Sequence, residues 1–208
     1  MKIPTLSADL IDALRSRFFA KDRSIYLASN CLAYLSNGAY LSNAFISETI
    51  LSASAASVTF SNIPQGFRHL MILAQARSDQ AAEIDTLICR FNGDTGSNYD
   101  YSQIQNGVYS ATRPATFVTC GFTEAANSRA TAYSLTQVVI SAYSRAGIDK
   151  YSSGYGGCFG NLSADADLFY LTVYGHWRNT NVITSVTLSL TPGPNFVSGS
   201  RFQLYGIL

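Results

Sequence analysis

Hydrophobic and polar residues change rhythm twice along this chain. Over residues 5–19 the apolar positions recur at helical spacing, and Leu10, Ile11, Leu14 and Phe18 share one face. Ser7 supplies an N-cap and Asp9 lies in the first turn, while Arg15, Arg17 and Lys21 lie toward the end where a helix dipole favours cations. The pattern predicts a short amphipathic helix, marginal in water unless its apolar stripe docks on something. Residues 24–47 then carry no charge at all. They hold a near-repeat: Tyr26-Leu27, Tyr34-Leu35-Ser36-Asn37 and Tyr40-Leu41-Ser42-Asn43. Asn37-Gly38 predicts a type I′ hairpin turn that pairs Leu35 with Tyr40 and Tyr34 with Leu41.

From about residue 49 the period becomes two. Val58 and Phe60 alternate with polar neighbours, and strands are predicted over 67–77, 84–92, 99–105, 108–113, 116–122, 133–143, 168–175, 182–190 and 202–208. Asn106-Gly107 marks a second hairpin turn. No helix is expected after residue 48, and the Ala-rich piece 125–132 reads as a loop because polar residues interrupt it. Many short strands punctuated by Gly, Asn and Pro predict an all-β fold, a jelly-roll-like antiparallel β-sandwich. The expected organisation is a helix and an uncharged extended or hairpin arm over 1–48, then the sandwich over 49–208.

Composition sharpens this picture. Charged residues are 13% of the 208 and the formal net charge is +1, against about 25% charged in an average domain. Ser, Thr, Asn, Gly and Tyr fill the shortfall, so charge repulsion does little to keep the chain alone in solution. A component of an assembly is the favoured reading; a surface β-domain with a Ser/Thr-rich exterior is the other. The absence of a basic excess argues against nucleic acid as a partner. The first residues show no apolar signal-peptide core, and no run of about 20 apolar residues exists to span a membrane. Cys31, Cys89, Cys120 and Cys158 lack metal-site spacing and read as buried free thiols.

Candidate chemistry is sparse. Asp94-Thr95-Gly96 has the tripeptide of aspartic proteases, but that chemistry needs two carboxylates and only one such tripeptide occurs. Asn92, Asp94, Asn98 and Asp100 offer oxygens to a calcium ion, yet their spacing fits no EF-hand and such residues favour turns. His69 and His176 complete no triad or metal pair, so no catalytic residue, cofactor or metal is expected. Residues 151–161, rich in Gly and aromatics, have two readings. One is a sugar-stacking platform; the favoured one is a close-packed strand whose glycines admit a neighbouring backbone.

Three segments, FSNIPQGFRHLMILAQARS (60–78), RFNGDTGSNYDY (90–101) and SGSRFQLYGIL (198–208), together resemble β-sandwich domains of small virion proteins of tailed bacteriophages. Those are proteins of the head-decoration, head-fibre or tail-fibre type. The resemblance spans residues 57–208 and implies synthesis in the host cytoplasm, residence in the virion, no enzyme site and a homo-oligomer, a trimer by the family's habit. Within that class the short chain, without the long repetitive shaft of many fibres, makes capsid decoration the expected role, with other virion proteins as partners. The expected assembly interface is Leu10, Ile11, Leu14, Phe18, Tyr26, Tyr34 and Tyr40. The alternative is a tail-fibre or receptor-binding adhesion module that meets a host surface glycan through Tyr99, Tyr101, Tyr109, Tyr151 and Tyr155.

Overall fold

The computed structural model describes residues 43–159, 169–191 and 193–208. The predicted helix and the Asn37-Gly38 hairpin, with all seven expected interface residues and Cys31, lie outside them. Contacts divide the chain into two units, Met1–Phe45 and Ile46–Leu208, and the sandwich belongs to the second.

Twelve strands and no helix make up the described residues. They are β1 (Asn43–Ile50), β2 (Ser57–Phe60), β3 (His69–Ala76), β4 (Ile84–Phe91), β5 (Tyr99–Gln105) and β6 (Val108–Ala115). They continue as β7 (Val118–Glu124), β8 (Ser134–Ser141), β9 (Lys150–Cys158), β10 (Phe169–Trp177), β11 (Val186–Leu190) and β12 (Arg201–Ile207). β1 runs across the expected boundary at residue 48, so residues 43–48, expected in the arm, open a strand.

The strands form two sheets, ordered β1-β12-β3-β8-β9-β10-β5-β6 and β2-β11-β4-β7. Setting aside β5, β6, β9 and β10 leaves eight strands in two sheets of four. Their order, first-eighth-third-sixth over second-seventh-fourth-fifth, is that of a jelly roll built from two Greek keys. The four extra strands enter as pairs between β4 and β7 and between β8 and β11, and both pairs extend the same edge of one sheet. The β5–β6 pair closes through Asn106 and Gly107, both at positive φ (47° and 84°), with Gln105 opposite Val108, as a type I′ turn requires.

Alternation sets the core. β8, β11 and β12 bury every second residue, placing Val138 and Ile140, Val186 and Leu188, and Phe202 and Leu204 inside. At one end Phe91, Tyr99 and Trp177 cluster, with Tyr99 stacked on Trp177 at 6.3 Å and Phe91 tilted against Trp177 at 5.6 Å. At another place Phe196 meets Phe202 edge-on at 4.8 Å. The loop over 125–132 is held by buried Arg77, whose guanidinium donates to Ser128 Oγ (2.8 Å) and to the carbonyls of Arg129 (2.6 Å) and Ala132 (3.0 Å).

Where β7 crosses β8, β9 and β10 the two sheets pinch together. A Cβ on Gly154 would lie 2.1 Å from the carbonyl oxygen of Cys120, and one on Gly175 would lie 2.2 Å from Val118 Cγ1. One on Gly156 would lie 3.3 Å from Gly121 Cα across the gap and 2.4 Å from Thr136 Oγ1 on the paired strand β8. Facing sheets ordinarily lie about 10 Å apart with side chains between them; here only glycine fits. The Gly-rich stretch is therefore the close-packed strand that its composition suggested.

The three described cysteines, Cys89, Cys120 and Cys158, are buried free thiols. Burial, joined by the Glu124 carboxylate, pushes the Cys158 thiol up to about 12, which leaves it protonated and inert at neutral pH.

Candidate functional site

The same alternation that turns glycines inward turns tyrosines outward. On β9 the inward residues are Lys150, Ser152, Gly154, Gly156 and Cys158, and the outward ones are Tyr151, Ser153, Tyr155 and Gly157. On β10 the inward Leu171, Val173 and Gly175 alternate with outward Tyr170, Thr172, Tyr174 and His176. Strand pairing aligns these into rows across the sheet. One row reads Ser141, Tyr151, His176, Asp100. The next reads Val139, Ser153, Tyr174, Ser102, and the next Gln137, Tyr155, Thr172, Ile104, Tyr109.

On β9 and β10 four tyrosines of this face are exposed: Tyr151 is 56% exposed, Tyr155 63%, Tyr170 45% and Tyr174 66%. A polar cluster closes one end of it. His176 Nδ1 lies 3.2 Å from Asp100 Oδ2 and its Nε2 lies 2.9 Å from Asp149 Oδ2. The Tyr151 ring stacks flat on the imidazole at 4.7 Å. Asp100 Oδ2 also faces Arg178 Nε at 3.3 Å and Arg113 Nε at 3.6 Å. Asp100 Oδ1, although enclosed, has no hydrogen-bond partner. Asp100, Ser102, Arg113, Tyr151, Tyr174 and His176 line a shallow pocket here of about 340 Å³.

Of the five tyrosines expected to face a glycan, Tyr109, Tyr151 and Tyr155 are exposed. Tyr99 and Tyr101 are corrections. Tyr99 is fully buried, accepts from the amide of Phe91 (3.0 Å) and donates to the carbonyl of Asp94 (3.1 Å). Burial raises its phenol well above the ordinary range. Tyr101 is half-buried and stacks on Phe117 at 6.2 Å. Both occupy odd positions of β5, which face inward; a strand's parity, invisible without its partners, decided this. Tyr170 and Tyr174 were missed for the converse reason. Their alternation with Leu171 and Val173 was legible, but only the register of β10 on β9 places them beside Tyr151 and Tyr155.

The loop that offered oxygens to calcium uses them internally. Asp94 Oδ2 accepts from Trp177 Nε1 (2.7 Å), and Oδ1 accepts from the amide of Gly96 (2.8 Å). Asn98 Nδ2 donates to the same carboxylate. Asn92 Oδ1 accepts from the amides of Thr184 (2.8 Å) and Ser185 (3.1 Å). Asp94 thus braces the loop against the core. Burial pushes its carboxyl upward, but the Trp177, Asn98 and Gly96 donors outweigh that and hold it below its ordinary 3.8. A depressed carboxylate adds stability that is present above the unfolded value and fades as pH falls through the folded one. Asp94→Asn is therefore expected to be less stable than the parent at pH 7, with the difference shrinking below about pH 4. Urea midpoints measured from pH 7 down to pH 2.5 check this; a constant difference would contradict it.

His69, the other histidine, accepts the amide of Ala142 at Nδ1 (3.1 Å). No helix among the described residues is long and apolar enough to cross a membrane. No family model, curated protein or solved structure matches this chain.

Proposed function

We propose that this chain is a non-enzymatic virion structural protein of a tailed bacteriophage, a capsid-decoration subunit fixed to the particle and to sister subunits by its N-terminal arm. One observation carries the reading. The segments that resemble phage virion domains occupy the turns and core positions that shape the jelly roll. Phe60 and Ile63 are buried on either side of Asn62, which adopts a positive φ of 53°. Phe91 is buried just before Asn92-Gly93, both at positive φ, and Tyr99 is buried behind them. In the last segment Gly199 turns at φ 88°, Ser200, Phe202 and Leu204 are buried, and Gly206 admits the Phe67 ring. The resemblance thus rests on a set of residues that work together as one scaffold. The uncharged stretch at 24–47 adds the second support, because so long a neutral run suits burial against other polypeptides.

In this reading the subunits associate as a closed homo-oligomer, with a trimer expected, after synthesis in the host cytoplasm. Mass spectrometry of density-purified particles from the source of the gene tests it, and the full chain is expected among the particle proteins. A chain lacking residues 1–42 keeps β1 whole; it should keep the β-strand signature in circular dichroism and be missing from particles. Absence of the full chain from particles would defeat the proposal, and normal incorporation of the truncated chain would defeat the anchoring role.

A further inference from the structure

We infer that the outer face of β9 and β10 is a carbohydrate-binding platform, on which Tyr151, Tyr174, Tyr155 and Tyr170 form a stacking ladder and Asp100 with Arg113 forms a polar end-stop. This goes beyond a decorating role and does not depend on it.

The ladder follows from the register. Tyr174 sits directly opposite Ser153, so it is diagonal to both Tyr151 and Tyr155; Tyr170, opposite Gly157, is diagonal to Tyr155 in turn. Diagonal neighbours on paired strands lie about 7–8 Å apart. Four rings therefore zigzag along the strand pair over about 20 Å, six residue steps at 3.3 Å each. Lone exposed aromatics on a strand need no explanation, since Tyr favours sheets. Four exposed rings in an unbroken diagonal file, with one face of Tyr151 backed by His176, do.

The occupant is argued from what surrounds the rings. Between them on the same face lie Ser153, Thr172 and Gly157, which give hydroxyls and open space rather than aliphatic bulk. A pyranose ring has the matching character. Its C–H face rests on the electron-rich face of a phenol ring, and its equatorial hydroxyls reach sideways to Ser, Thr and Gln. Charge points the same way. No charged residue interrupts the ladder, and at its end Asp100 and Asp149 are balanced by Arg113 and Arg178, so neither a polyanion nor a cation is favoured. An added peptide strand is disfavoured as well, because β9 and β10 are paired on both sides and offer no open backbone edge. Asp100 Oδ2 holds Arg113 Nε at 3.6 Å, and the Arg113 side chain, 73% exposed, brings a donor to this end of the ladder. A guanidinium steadied in this way keeps N–H donors for a sugar hydroxyl.

The test is a printed array of bacterial cell-wall, capsular and lipopolysaccharide oligosaccharides, probed with the full chain, followed by titration calorimetry on the best responder. Binding to a neutral oligosaccharide is expected. Tyr155→Ala/Tyr174→Ala should weaken it by about tenfold or more, as loss of central aromatic anchors does. Both side chains face solvent, so the melting temperature should hold. Thr59→Ala, on the other sheet, should bind as the parent does. Silence across the array at millimolar glycan, or equal affinity in the double variant, overturns the inference. So does loss of self-association in the double variant by light scattering, which would make this face a subunit contact.

Discussion

Trp177→Ala is expected to destabilise the sandwich by about 3–5 kcal/mol, the range for truncating a large buried aromatic. Trp177 is 1% exposed, stacks on Tyr99, meets Phe91 and donates its indole N–H to Asp94 at 2.7 Å. The loss therefore has two parts: a cavity beside the Phe91 and Tyr99 rings, and a carboxylate deprived of one donor. Trp177→Phe separates them, since it keeps most of the volume and removes only the N–H; about 1–3 kcal/mol is expected. Trp177 is the sole tryptophan, so its emission reports unfolding of the parent and far-ultraviolet circular dichroism must report that of the variants. Equal midpoints for parent and Trp177→Ala in urea would mean that this cluster does not bind the inserted pair β9–β10 to the core.

Gly154→Val should cost about 3 kcal/mol or more, at the upper end of what overpacking does. The obstacle is a backbone carbonyl 2.1 Å from the new Cβ, and Cys120 cannot swing it aside as a flexible side chain would. Ser153→Val, one residue away and facing solvent, should change stability by less than about 0.5 kcal/mol. Unfolding midpoints for the pair measure the asymmetry between the two sides of β9. Similar losses for both would show that the pinch between the sheets relaxes easily.

Much of the fold was legible because its signals are local. Val138–Ile140 and Val186–Leu190 announced strands by β-branched alternation, and Asn106-Gly107 announced its turn by the backbone twist it requires. β1 was hidden because residues 43–47 continue the uncharged composition of the arm. The widening of one sheet to eight strands was hidden too. It depends on β10 pairing with β5, across 66 or more residues of chain, and local pattern carries no such information. The site divides the same way. Tyr151 and Tyr155 stood out beside their glycines, whereas the inward turn of Tyr99 and the place of Tyr174 in the file needed neighbours that only pairing supplies.

The two sides of β9 are under unequal obligations. A slip of one residue would drive phenol rings into a gap that rejects even a methyl group, so the strand's position is locked from within. Residues 151, 153 and 155 bear none of that constraint. They can be exchanged one at a time while the fold stands, which makes this strand a place where new specificities can be tried without risking the molecule that carries them.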